Sequence, residues 1–188
     1  MPKICVGTLS NRGFKPQTVE SLFNLDVPYE KIFAVATQGY HIAENRNWLA
    51  FKALNGECDY LFMVDDDMIF PSDTLTRMVG YEKDIVGVAY RPRNDKKDTY
   101  IPLDKVHIDN PDLPKELFEC EAVGTGIILI DIRVLKTLPW PFFSFESDVN
   151  GVTLHGEDWN FCKKARKAGY KIWCDPTLEV GHIGDYTF

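Results

Sequence analysis

At 188 residues, with 45% apolar and 26% charged positions, the chain has the content of one ordinary globular domain, long enough to bury a full core. Its 21 Lys and Arg against 28 Asp and Glu leave a net charge of -7, which excludes an overall basic field drawing the protein onto nucleic acid or an anionic membrane. No apolar run approaches the ~20 residues of a membrane span, and Met1-Pro2-Lys3-Ile4 reads as the opening of a strand rather than a signal peptide, so a soluble, cytoplasmic protein is expected.

In chain order, Ile4-Cys5-Val6-Gly7-Thr8-Leu9 predicts a first strand, closed by the polar turn Ser10-Asn11-Arg12-Gly13. A helix is expected from about Pro16, with Val19, Leu22 and Phe23 on one face. Lys31 to Thr37 reads as a second strand. A second helix, from about Ile42 to Leu54, carries Trp48, Leu49, Phe51 and Ala53, with Gly56 at its C-cap. Then Tyr60-Leu61-Phe62-Met63-Val64 runs straight into Asp65-Asp66-Asp67. Pro71 to Leu75 starts a short helix, and Asp84 to Tyr90 returns as a strand. From Arg91 to about Glu119 the sequence is rich in Pro, Asp and Lys and weakly periodic, as in a functional or mobile loop within one domain. Ala122 to Ile130 resumes a buried strand with Gly124 and Gly126 at its entrance, followed by a short helix around Ile132 to Leu138 and the aromatic segment Trp140-Pro141-Phe142-Phe143. The last helix runs from near Glu157 to Gly169, and Lys171 to Cys174 and Leu178 to Val180 read as closing strands. Alternation of strand and helix predicts βαβ units and a mostly parallel sheet. The five cysteines are odd in number, scattered and without a C-x-x-C pair, which argues for reduced thiols rather than a disulfide frame or a zinc site.

Chemistry concentrates where the strand at 60–64 ends in acid. An apolar run without alternation is a strand covered on both faces, and the rim at its end is where open α/β sheets bind ligands. In an extended run Asp65 and Asp67 share a face and Asp66 takes the other. Two converging carboxylates suit a hard divalent cation such as Mn²⁺ or Mg²⁺; the plainer alternative is an acidic turn capping the next helix. Glu157-Asp158 follows the flexible His155-Gly156 and opens a helix, so one carboxylate can face a site as a general base while the other caps. His182, flanked by Gly181 and by Ile183-Gly184, gains weight if the fold brings it to the acidic triplet. Arg12 and Arg46 stand where a doubly wound sheet gathers nucleotides, the plainer alternative for each being a surface charge.

Together these residues resemble a glycosyltransferase of the GT-A fold, closest to the large family-2-type group. The matching elements, in order, are Thr8 to Arg12 after the first strand, Arg46-Asn47 on the following helix, a DXD motif as Asp65-Asp66-Asp67, Gly124-Thr125-Gly126 before the Glu157-Asp158 helix, and the terminal Val180-Gly181-His182. The resemblance implies a single α/β domain of Rossmann-like character, with a nucleotide-sugar-binding half in 1–90 and an acceptor-binding and catalytic half in 91–188. It implies that Thr8, Arg12 and Arg46 contact the base or diphosphate of a nucleotide sugar, UDP-sugars being favoured. Asp65 would lie near the ribose or the metal, Asp66 behind it, and Asp67 with His182 on Mn²⁺ or Mg²⁺. Asp158, beside Glu157, would deprotonate an acceptor hydroxyl in an inverting transfer of hexosyl type, and Gly124, Thr125, Gly126 and the Trp140–Phe143 segment would shape the pocket. The acceptor is a glycan, a protein or another hydroxyl compound, held by the Arg91–Glu119 loop or by a partner; the acidic charge disfavours nucleic acid. The competing readings are a sugar-phosphate nucleotidyltransferase or other metal-dependent phosphate enzyme, and a non-catalytic carbohydrate-binding relative.

Overall fold

The apolar run 60–64 becomes the middle of a seven-stranded sheet. The computed structural model describes residues 1–10, 13–37, 41–91, 99–100, 108–109 and 113–184. Along the chain, β1 (Lys3–Leu9), α1 (Pro16–Asn24), β2 (Glu30–Ala36), α2 (Ile42–Asn55) and β3 (Tyr60–Asp65) lead to the short β4 (Met68–Ile69). They are followed by α3 (Thr74–Gly80), β5 (Ile85–Val88), β6 (Thr99–Tyr100), β7 (Ile108–Asp109) and β8 (Phe118–Cys120). The last third holds β9 (Ile127–Asp131), α4 (Ile132–Thr137), β10 (Glu146–Ser147), β11 (Thr153–His155), α5 (Glu157–Lys167), β12 (Ile172–Asp175) and β13 (Gly181–His182).

The sheet order is β2-β1-β3-β9-β5-β12-β8. β1 pairs in parallel with β2 and β3, and β12 with β5, whereas β9 is antiparallel to both of its neighbours and β8 to β12. The sheet is thus mostly parallel, as expected, with one reversed strand in its centre. That reversal matters for function. It sets the start of β9, Ile127 opposite Val64, on the same rim as the carboxyl ends of β1, β3 and β5.

Side chains of β3 alternate between two cores. Leu61 and Met63 join Cys5, Leu49, Ala53, Ile128 and Phe161 on one face, while Phe62 and Val64 join Ile4, Val6, Leu75, Met78 and Leu129 on the other. Helices α2, α4 and α5 cover the first face and α3 the second, and each fully buried Val, Leu, Ile, Phe or Met side chain among them contributes roughly 1.5–3 kcal/mol. All five cysteines are free and buried, and among the described residues no helix is long and apolar enough to cross a membrane.

Several sequence expectations change. In α1 the buried positions are Thr18 and Ser21, and Phe23 is 85% exposed. In α2 the aromatic residues Trp48 and Phe51 face out, 40% and 50% exposed, and Ala43, Asn45, Arg46, Asn47, Ala50 and Ala53 turn in. Small alanines let this helix lie close to the sheet, and the polar Asn45-Arg46-Asn47 run is buried because it has partners there. Leu178 to Val180 is not a strand; the ladder forms one step later, where β13 pairs with β4. Phe142 and Phe143 lie in the core rather than on a pocket wall, held partly by Asn47, whose Nδ2 donates to the Phe143 carbonyl at 2.7 Å and whose Oδ1 accepts from the Phe143 amide at 3.0 Å.

Candidate active site

The site is assembled at the carboxyl rim, beside the switch point between β1 and β3. β3 ends at Asp65, and Asp66 and Asp67 form a turn into β4, so the triplet is not extended and the predicted sharing of one face by Asp65 and Asp67 does not hold. Each acid finds a different environment.

Asp65 faces Arg46. The guanidinium, 2% exposed, lays a fork on this carboxylate, Nη1 to Oδ1 at 3.0 Å and Nη2 to Oδ2 at 3.3 Å. The same group donates from Nε to Glu157 Oε1 at 3.2 Å and from Nη1 to the Thr125 carbonyl at 3.3 Å. Burial would lower the Arg46 pKa, but the charges of Asp65 and Glu157 outweigh it and hold the cation far above its ordinary value. Its Nε, Nη1 and Nη2 thus all meet protein acceptors, whereas the resemblance implied a contact with a base or diphosphate. Glu157, likewise buried, is turned to Arg46 rather than toward a substrate. Asp65 pairs with Arg46, whereas Asp67 pairs with His182. Among the described residues no three His, Cys, Asp or Glu side chains stand close enough to hold one ion.

Asp67 is buried and meets His182. The ladder of β4 with β13 sets His182 opposite Met68 and Gly181 opposite Ile69, and the Asp67 carbonyl accepts from the Ile183 amide at 2.8 Å. His182 Nε2 then lies 3.5 Å from Asp67 Oδ1, while Nδ1 lies 3.0 Å from the Arg91 carbonyl. A carbonyl only accepts, so Nδ1 carries the hydrogen, and a neutral imidazole presents its Nε2 lone pair to the carboxylate. Two such acceptors stay together when a proton or a metal cation lies between them. Fixing the second ring nitrogen on a carbonyl is also how metal-binding histidines are oriented. A carboxylate and an imidazole fit Mn²⁺ or Mg²⁺ when substrate phosphate and water complete the shell.

Asp158 is set apart from its neighbour. Gly156 precedes α5, and a Cβ there would lie 2.7 Å from Asp158 Oδ1, so only glycine leaves the carboxylate room to fold back. Oδ1 accepts from the Trp159 amide at 2.7 Å. Burial, then the like charge of Glu157, push the Asp158 carboxyl up to about 6 despite that amide and Arg46. Thr8 is buried at the end of β1, paired with Val64, and its Oγ1 makes no hydrogen bond among the described residues. The Asp66 carbonyl accepts from the Lys15 amide at 2.9 Å. Gly124, Thr125 and Gly126 form the turn into β9; the Gly126 carbonyl accepts from the Asp65 amide at 2.9 Å. Arg12 lies outside the described residues.

Sequence reading missed Tyr90, which lies two residues after β5 and is buried beside this turn, with its hydroxyl accepting from the Gly126 amide at 3.3 Å. The available signal was an aromatic residue with a polar tip at the carboxyl end of a predicted central strand. It missed, too, that Arg46 pairs with Asp65 and Glu157, although an arginine between two asparagines inside a helix otherwise rich in alanine and aromatics asks for buried partners.

No protein-family model matches the sequence, and no curated protein does either. Solved structures do match. A197 from STIV aligns with a TM-score of 0.68 at 18% identity, over 97% of this chain and 86% of that one. GalNAc-T7, solved with UDP, GalNAc and Mn²⁺, aligns at 0.63 and 12% identity over 97% of this chain and 44% of that one. S. aureus TarS 1-349, in complex with UDP-GlcNAc, aligns at 0.59 and 13% identity over 100% of this chain and 60% of that one. This chain thus spans less than two thirds of the latter two. The fold is the GT-A fold of glycosyltransferases.

Two outcomes follow from the charge arrangement. Arg46→Met leaves two carboxylates buried against each other and should lower unfolding stability by about 3–5 kcal/mol in urea titrations, with most of the loss recovered when Asp65→Asn and Glu157→Gln are added. An unchanged midpoint for the single variant would show that the cation is not the keystone. The raised Asp158 pKa means the native state binds more protons than the unfolded chain between the ordinary value of 3.8 and about 6, so stability falls as pH rises through that window. Asp158→Asn should therefore be more stable than the parent above pH 6, by on the order of 1–2 kcal/mol after allowance for solvent, and equal to it at pH 3.5. Equal melting temperatures at pH 7.5 would refute the shift.

Proposed function

We propose that the protein is a metal-dependent glycosyltransferase that moves a sugar from a nucleotide-diphospho-sugar, with UDP-sugars favoured, to an acceptor hydroxyl with inversion, using Asp158 as the base. The observation that carries this reading is Arg46. By pairing with both Asp65 and Glu157 it makes the acidic triplet and the Glu157-Asp158 helix one site, on the rim where the fold receives its ligand. The neighbours solved with UDP-GlcNAc and with UDP, GalNAc and Mn²⁺ support the donor class and the cation.

Asp67 and His182 are the residues that would hold Mn²⁺ or Mg²⁺. The bound cation supplies compensation for the negative charge that grows on the departing diphosphate. Asp158, held near the operating pH by burial and by Glu157, accepts the proton of the acceptor hydroxyl as that oxygen bonds to the anomeric carbon and the carbon–phosphate-oxygen bond breaks. Arg46 keeps Asp65 and Glu157 fixed throughout. Thr8, Asp66 and the turn 124–126 are assigned to the donor side, and the half from 91 to 188 to the acceptor.

The decisive experiment incubates the purified chain with a panel of nucleotide sugars and Mn²⁺ and follows release of nucleoside diphosphate. Turnover or slow hydrolysis of at least one donor is expected, lost on chelation with EDTA and reduced at least about 10²-fold in Asp67→Ala. Absence of both binding and hydrolysis for every donor would end the proposal, and pyrophosphate release from a nucleoside triphosphate plus a sugar phosphate would replace it with nucleotidyl transfer. With a working donor, the rate should fall tenfold per pH unit below a midpoint near 6, because the base is protonated there. A flat profile from pH 4.5 to 8 would remove Asp158 from that role.

A further inference from the structure

One more side chain touches both arms of the site. Tyr90 is 6% exposed and stands between the turn before β9 and the strand that carries His182. On one side its hydroxyl accepts the Gly126 amide hydrogen at 3.3 Å, and Gly126 in turn accepts from the Asp65 amide at 2.9 Å. The approach is as close as a backbone permits: a Cβ on Gly126 would lie 2.9 Å from both Cζ and Oη of the tyrosine. On the other side the Tyr90 ring meets the His182 imidazole in a T-shaped contact, centroids 5.3 Å apart at 89°. The very next residue, Arg91, supplies the carbonyl at 3.0 Å from His182 Nδ1.

The hydrogen bond at Nδ1 fixes one ring nitrogen, and the direction of Nε2 toward Asp67 also depends on the tilt of the ring plane. A second contact against the ring removes this freedom. We propose that Tyr90 is a positioning residue that holds the two arms of the nucleotide-sugar site in register, steadying the turn behind Asp65 through its hydroxyl and aiming His182 at Asp67 through its ring. The inference rests on reading Asp67 and His182 as the cation pair.

The two arms separate experimentally, using Mn²⁺ alone and UDP in saturating Mn²⁺ as calorimetric probes of the full chain. Tyr90→Phe removes one oxygen and keeps the ring. It should leave Mn²⁺ affinity within about twofold and weaken UDP binding about five- to tenfold. Tyr90→Leu removes the ring and should weaken Mn²⁺ binding about tenfold, with little further loss when His182→Ala is added, because the ring acts through the histidine. A general loosening of the fold would lower both affinities together in both variants, so the split is the signature. Unchanged UDP affinity in Tyr90→Phe, or full additivity of Tyr90→Leu with His182→Ala, would overturn the proposal while leaving the glycosyltransferase reading intact. Should Tyr90→Leu lose its circular dichroism signature of folding, the Tyr90→Phe result decides alone. Failure of the parent chain to bind either probe sinks the functional reading, and this inference with it.

Discussion

The arrangement depends on one buried cation. Taking a guanidinium out of water costs several kcal/mol, and that cost is offset only when its donors are met by opposite charge in good geometry. Arg46 is met by a fork on Asp65, by Glu157 and by the Thr125 carbonyl. Those partners belong to β3, α5 and the turn before β9, so a single side chain on α2 ties four pieces of backbone together. It also sorts the acids. Asp65 and Glu157 are occupied by Arg46, and Asp158 is left half-buried beside a like charge with its pKa raised to about 6. The two neighbouring acids of α5 thus have different surroundings, Glu157 on Arg46 and Asp158 on the Trp159 amide.

Sheet topology does the rest of the gathering. Because β9 runs against β3 and β5, its entrance turn stands on the rim where the parallel strands end, close enough for the Asp65 amide to reach the Gly126 carbonyl. Because β13 pairs with β4 for just two residues, His182 is delivered to Asp67 from the far end of the chain. Neither placement relies on a long element. A reversed central strand and a two-residue ladder hold two arms of one site, with Tyr90 between them.

Much of the fold was legible before any coordinates. The continuous apolar run 60–64 announced a strand covered on both faces, and the alternation of strands with helices announced a mostly parallel sheet, since burial on two faces and crossover helices go together. Helix faces were less legible. The sequence of α2 carries Trp48 and Phe51 without showing which face is buried, and the helix presents alanines and an arginine flanked by asparagines to the sheet, because close packing favours small residues and a buried cation outranks exposed aromatic area once its partners exist. The likeness to TarS and GalNAc-T7 bears out the GT-A fold that the resemblance implied.

The sequence by itself determined which residues are acidic, basic or imidazole, and that the acids stand where a buried strand ends. Hydrophobic pattern and local spacing carry that information within a window of a few residues. Tertiary structure alone decided how those groups pair: that Arg46 neutralises Asp65 and Glu157, that Asp67 faces His182, and that Tyr90 spans from Gly126 to His182. Charge pairing falls off over a few ångströms in space and is indifferent to separation along the chain, so contacts between residues as distant as Arg46 and Glu157 become visible only when the sheet has closed around them.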